Sequence, residues 1–255
     1  SWSAVALPGM TRAGTTVFIT GMVAGLLRTS QSKTTDPWVW PSKAVHLACT
    51  EQVRHLDEPL CGGVYAALDR IQQVDTAHEI TLLPEYFNRA LKPAVRQNKN
   101  VTRLLGQANV FAWIAYVIYD DFMDDEGRAT ALPIANVAVR FALSNYSQAV
   151  PNDAVFQKYV SRTFDKVDTA NAWEVAHCRM LVADQKLTID TLPDFGSLNF
   201  LADRTFIHTL GPLALARLTG ATPRDKSWEA LEEGFRHYLI ARQLNDDIHD
   251  WCKDL

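Results

Sequence analysis

Apolar residues recur every three to four positions along most of the chain, and this spacing predicts amphipathic α-helices. Val45, Cys49 and Val53 form such a series after Pro41, and Pro59 is expected to end that helix. No segment shows the strict alternation of apolar and polar residues that marks a strand. The pattern predicts an all-α fold of about eight to ten helices. The clearest of the other helices are expected over residues 63–74, 100–125, 152–187, 199–218 and 226–250.

Prolines set several of the expected helix boundaries, because proline lacks the backbone N–H that continues a helix. Pro84 and Pro93 are predicted to interrupt the stretch that precedes the long helix at residue 100. The Gly211-Pro212 pair is expected to kink the helix over 199–218.

Composition and charge limit the classes of protein to which this chain can belong. Hydrophobic residues make up 47% of the 255 residues, which is enough for a sizeable core. The net charge of −4 gives no sign of a basic face, so no nucleic-acid partner is expected. No apolar run reaches the roughly 18–20 residues that a membrane span requires, since the best candidate covers only residues 17–27. A loop-like Ser/Thr/Lys stretch then divides the chain into an N-terminal extension of unclear role, 1–40, and one helical domain, 41–255.

Four cysteines occur without any CxxC pair, at Cys49, Cys61, Cys178 and Cys252. We interpret them as buried free thiols in a reducing compartment, which favours a cytoplasmic location. A zinc site is the competing interpretation near the C-terminal histidines, but no pair of them has an HxxxH spacing.

The first acidic cluster stands at the C-terminal end of the helix over 100–125. Asp120, Asp121 and Asp124 lie within five residues, where the helix dipole is already negative. Divalent cations would offset this charge, and carboxylates four residues apart on one helix face suit Mg²⁺. Trp113 and Tyr116 lie on the same face, so an apolar stretch leads to an acidic rim. The alternative is a solvated acidic helix end.

A second cluster repeats this design in the last predicted helix. Gln243, Asp246, Asp247 and Asp250 share one face, and Phe235 lies three turns earlier on it. Two such helices could face each other across a cavity and share a metal cluster at one mouth. The alternative for this cluster alone is again a solvated face.

Both clusters resemble the aspartate-rich motifs of the trans-isoprenyl diphosphate synthases, in the class I isoprenoid synthase superfamily that also includes class I terpene synthases. The first motif is the DDFMD run that begins at Asp120, and the second is the QLNDDIHD run that begins at Gln243. Arg204-Thr205 stands where the family carries a Lys-Thr pair that contacts the diphosphate. The resemblance covers roughly residues 90–255.

The resemblance implies a bundle of long antiparallel helices around a deep central cavity, from which this chain lacks the last helices, and a homodimer. It implies three Mg²⁺ ions, ligated by Asp120, Asp124 and Asp246. Asp121, Asp247 and Asp250 would assist, in part through bound water. The diphosphate-binding residues would be Arg204, Arg128, Gln243, Lys92 and Arg96, and the cavity wall would include Trp113, Tyr116 and Phe235.

The expected reaction begins with ionisation of an allylic prenyl diphosphate and continues with condensation onto isopentenyl diphosphate. The basic residues for this second substrate match the family less well, since only Gly127-Arg128 follows the first motif. Cyclisation of a single prenyl diphosphate, as in class I terpene cyclases, is therefore the alternative. A non-catalytic helical homologue or interaction subunit is the second alternative.

Overall fold

A computed structural model describes residues 38–178, 181–183, 186–188, 194–196 and 198–250, without the side chains of 181–183, 186–188, 246, 247, 249 and 250. Almost all of the proposed N-terminal extension, 1–40, lies outside these residues. The helices are α1 (Val39–Val53), α2 (Leu60–Val74), α3 (Glu79–Ala90), α4 (Lys99–Met123), α5 (Leu132–Ala149), α6 (Ala154–His177), α7 (Asn199–Thr205), α8 (Leu210–Leu218) and α9 (Lys226–Asp250).

The all-α prediction is confirmed, with one local exception. The helix predicted over 152–187 ends at His177, and a short antiparallel hairpin follows it, formed by β1 (Leu181–Ala183) and β2 (Lys186–Thr188). Leu181 pairs with Thr188 in this hairpin. No alternating pattern marks these residues, because three-residue strands are too short to show one.

Helix α4 is the central element of the bundle. Asn98 begins it by accepting hydrogen bonds from Asn100 N at 2.9 Å and Val101 N at 3.2 Å. Among the described residues, α4 alone is long and apolar enough to cross a membrane, and 67% of its apolar window is buried inside the protein. Such burial is typical of a core helix, and α1, α3, α5 and α8 pack around this one.

Proline 84 does not interrupt the chain as predicted, since α3 continues through it from Glu79 to Ala90. Asp75 stabilises the start of α3 by accepting hydrogen bonds from Ile80 N at 3.1 Å and Thr81 N at 2.9 Å. The Pro84 ring packs so closely against α8 that a Cβ at Gly211 would lie 2.6 Å from its Cγ. Tertiary packing thus compensates for the helix bond that the proline removes.

The helix predicted over 199–218 is broken, but not at Gly211-Pro212. A 3₁₀ turn, Phe206–Thr209, separates α7 from α8. Pro212 lies in the first turn of α8, where backbone N–H groups have no intrahelical partner to lose. The break therefore falls between Arg204 and Pro212 and turns the chain near the candidate site.

The direction of α9 brings the ends of two helices together. Trp228 and Leu231, near the start of α9, line a small gap with Phe87 and Leu91. Phe87 and Leu91 lie at the C-terminal end of α3, so this gap is beside the start of α4. Further along, the guanidinium of Arg242 stands 5.6 Å from the Trp113 ring centroid of α4. Helix α9 therefore runs in the same direction as α4, so the backbones of both acidic motifs reach the same end of the bundle.

Two glycines provide a matched test of this packing. At Gly106 of α4, an added Cβ would lie 2.8 Å from the Thr81 carbonyl oxygen, whereas at Gly234 of α9 it would meet nothing within 4 Å. We expect Gly106→Ala to lower the free energy of unfolding by about 1–3 kcal/mol. Gly234→Ala should raise it by about 0.5–1 kcal/mol, because alanine favours the helix. Urea denaturation measures both, and equal effects of the two substitutions would contradict the described α3–α4 contact.

Candidate functional site

The candidate site is organised by Arg204, at the C-terminal end of α7. Its side chain is buried, with 7% of the residue exposed. One guanidinium nitrogen donates to Asp120 Oδ1 of α4 at 2.5 Å, and another lies 2.7 Å from Glu174 Oε2 of α6. Three helices therefore meet through one cation and two carboxylates.

Glu174 is the residue that sequence reasoning missed in this site. It ends the buried stripe of α6, in which Phe156, Val160, Val167 and Ala170 recur at helical spacing. A carboxylate on an otherwise apolar stripe is a signal that could have identified it, because buried acids are normally paired.

Among the side chains that the structure describes, acidic groups outnumber basic ones around Arg204. Burial alone would lower the pKa of the Arg204 guanidinium, but the nearby oxygens of Tyr116, Glu174, Asp120 and Asp124 raise it above its usual value. One arginine and three carboxylates leave a formal charge of −2. This excess negative charge is what a bound divalent cation would neutralise.

The remaining residues of the first motif differ in their surroundings. Asp124 forms the C-cap of α4 and is exposed. Asp121 points to α2, where its Oδ2 lies 3.4 Å from Arg70 Nη1. Arg128 is exposed in the loop four residues after Asp124. Asp120 is a motif residue with a direct bond to the arginine among the described contacts.

Lys92 and Arg96, the predicted residues for the diphosphate of the second substrate, lie away from the Arg204 ion pair. They lie in the turn before α4, where Arg96 Nη2 donates to the Arg89 carbonyl at 2.6 Å. Lys99 begins α4, and Asp120 lies 21 residues along it, about 30 Å away at the rise of an α-helix. A single diphosphate group is too short to contact both the turn before α4 and Asp120 near the other end of that helix.

The second motif occupies the last two turns of α9. The side chains of Asp246, Asp247 and Asp250 lie outside the described residues, and Gln243 is half-buried. Because α9 runs in the direction of α4, the backbone at Asp246 extends one turn beyond Arg242, toward the end that carries Asp120. The contribution of Asp246, Asp247 and Asp250 to a shared metal cluster stays a prediction.

The three predicted wall residues differ in their surroundings. Trp113 and Tyr116 are half-buried, with ring centroids 5.2 Å apart, below the Arg204 ion pair. Phe235 is 2% exposed and belongs to the hydrophobic core. The central cavity that these residues would line stays a prediction.

Beneath the ion pair lies a second polar group that the sequence did not indicate. His208 is 3% exposed, and its ring centroid is 5.6 Å from that of Trp113. Burial, followed by the positive charge of Arg242, lowers the pKa of His208 to about 3. Arg242 in turn bonds Glu79 Oε2 at 3.0 Å. The imidazole is therefore neutral at physiological pH.

The donor types suit Mg²⁺, although the described side chains do not form a complete site. Carboxylates of Asp120 and Asp124 are hard oxygen ligands four residues apart. Within the described portion of the chain, no group of three or more His, Cys, Asp and Glu side chains could hold a metal ion. The side chain of Asp246 lies outside that portion.

Comparisons of this chain with models of protein families, with curated proteins and with solved structures found no significant match. The candidate site is therefore defined by its own residues and geometry.

The buried His208 predicts a specific pH dependence of stability. Its pKa is near 3 in the folded protein and near 6.5 in the unfolded chain, so acid protonates the unfolded state first. The stabilisation is fully present above about pH 6.5 and is lost as pH falls toward 3. Between pH 7 and pH 5, the wild type should lose about 2 kcal/mol more unfolding free energy than His208→Gln.

Urea denaturation at the two pH values checks this difference, with a substitution of the exposed His237 by glutamine as the control for losing a histidine. An identical loss in wild type and His208→Gln would contradict the burial of a neutral imidazole.

Proposed function

We propose that this protein is a Mg²⁺-dependent class I isoprenoid synthase that ionises an allylic prenyl diphosphate. The observation that carries the proposal is the bond from the buried Arg204 to Asp120, at 2.5 Å. These residues are 84 positions apart, and each was assigned to diphosphate or metal binding from its own motif. Contact between two residues assigned from separate motifs supports a shared site.

The proposed site assigns a role to each charged group. Asp120 and Asp124, together with Asp246, would hold Mg²⁺, which would neutralise charge on the departing diphosphate. Arg204 donates to the same diphosphate, and its Nε has no hydrogen-bond partner among the described residues. Glu174 orients the guanidinium and is a positioning residue. Fixed donors of this kind stabilise charge that develops during bond cleavage.

The groups below the ion pair suit an allylic cation. Trp113 and Tyr116 offer aromatic faces that attract a cation, with Phe235 deeper in the core. His208 stays neutral and so does not repel the cation.

Two fates of the cation are candidates. The aspartate-rich second motif favours condensation with isopentenyl diphosphate, as its resemblance implies. The distance of Lys92 and Arg96 from Asp120 favours reaction of a single prenyl diphosphate, because only Arg128 of the predicted second-substrate residues lies near the acidic end. We therefore favour cyclisation or loss of diphosphate from one substrate. The three-ion cluster, a homodimer and a cytoplasmic location remain predictions.

Turnover assays with matched variants test the proposal. Incubation with Mg²⁺ and geranyl, farnesyl or geranylgeranyl diphosphate should release diphosphate and give a hydrocarbon or alcohol. Asp120→Asn and Asp246→Asn should each reduce release by about a hundredfold or more, because each removes a ligand of the metal. Asp57→Asn changes an exposed aspartate that makes none of the contacts described for the site, and it should leave turnover unchanged.

Parallel reactions with isopentenyl diphosphate separate the two fates by mass spectrometry of the products. Longer diphosphates that appear only with the second substrate would establish condensation. Full turnover in both aspartate variants, or no Mg²⁺-dependent product from any of the substrates, would refute the proposed enzyme and favour a non-catalytic helical protein.

A further inference from the structure

A cleft separate from the candidate site lies between α6 and α7 and the residues just before α7. It is a cleft of about 590 Å³, within the range typical of small-molecule sites. Trp173 and Asp203 line it, whereas the next residues along the chain, Glu174 and Arg204, form the ion pair described above. Consecutive helical residues point about 100° apart. One face of α6 and α7 therefore lines the cleft, while another carries the ion pair.

One end of the cleft is aromatic. Trp173 and Phe200 have ring centroids 4.5 Å apart, Phe195 and Phe200 are stacked at 5.2 Å, and Trp173 and Phe195 meet edge to face at 5.8 Å. Phe195 remains 39% exposed despite these contacts. The trio therefore presents ring surface to the cleft that a hydrocarbon group could cover.

The other end of the cleft carries cations. Arg162 and Lys166 line it one helical turn apart, and neither forms an ion pair within the described residues. Asp165 is the acid beside them, which leaves this end with a formal charge of +1. Lys166 precedes Trp173 by seven residues, or about 10 Å along α6.

The remaining acids of the cleft have partners. Asp203 Oδ1 accepts a hydrogen bond from Arg236 Nη1 at 2.7 Å. Asp194 Oδ1 accepts one from Gly196 N at 2.9 Å. Arg236 therefore balances the charge of Asp203, whereas Asp194 keeps its negative charge beside Phe195. The positive charge that the lining offers to an anion is that of Arg162 and Lys166.

We propose that this cleft binds a small amphipathic anion about 10 Å long. Its ring or isoprenoid part would cover Trp173, Phe195 and Phe200, and a single carboxylate, sulfonate or phosphate group would meet Arg162 and Lys166. The separation of aromatic and cationic ends is what selects such a ligand over a purely apolar one. The site goes beyond the proposed enzymatic function and does not depend on it.

Fluorescence titration with 8-anilinonaphthalene-1-sulfonate tests the site, because this dye joins an aromatic body to one anionic group. The double variant Arg162→Gln/Lys166→Gln should raise its Kd by about tenfold, the effect of losing two exposed charge contacts. Arg140→Gln/Lys158→Gln removes the same charge from exposed positions outside the cleft and should change the Kd by less than about twofold. Circular dichroism confirms that each variant is folded.

A neutral probe distinguishes the contribution of the aromatic end of the cleft from that of the cationic end. N-phenyl-1-naphthylamine has the same aromatic body without the sulfonate, so its Kd should change by less than about twofold in Arg162→Gln/Lys166→Gln. Phe200→Ala should weaken both probes by about tenfold. Absence of saturable dye binding by the wild type, or equal sulfonate affinity in the cleft and control double variants, would overturn the proposal.

Discussion

The Arg204 guanidinium lies where α4, α6 and α7 meet, between Asp120 and Glu174, and the arrangement of the candidate site depends on it. With 7% of the residue exposed, this cation could not remain buried without its two carboxylates. Removing one partner of such a buried pair typically destabilises a protein by about 3–5 kcal/mol. The ion pair therefore fixes the end of α4, where the first acidic motif begins, against two helices that are distant in sequence.

Two features of the backbone bring other groups to the Arg204 ion pair. The 3₁₀ turn Phe206–Thr209 ends α7 just after Arg204 and places His208 beneath the ion pair, beside Trp113. Helix α9 then runs in the direction of α4 and carries the second acidic motif to the same end. The polar groups of the candidate site thus stand above aromatic and apolar residues. A different face of α6 and α7 forms a separate cleft with cations of its own.

Local sequence patterns predicted most of the secondary-structure elements. They could not predict which residues that are distant in the sequence contact each other. Helix α9 has the predicted bounds, because its periodicity is uninterrupted and contains no proline. Pro84 was expected to break the chain, yet α3 continues through it because packing against α8 compensates. Arg204 and Asp120 could be assigned from motifs, whereas Glu174 has no motif and is recognised only by its contact with an arginine 30 residues later.

Calorimetric titration with inorganic diphosphate tests the central claim, that Arg204 and the acidic motif together form a diphosphate site. The wild type should bind diphosphate only with Mg²⁺ present, and Arg204→Gln should weaken binding by at least about tenfold. Arg140→Gln, which removes an exposed arginine elsewhere, should leave it unchanged. Equal affinity in wild type and Arg204→Gln, or binding that does not require Mg²⁺, would contradict the account.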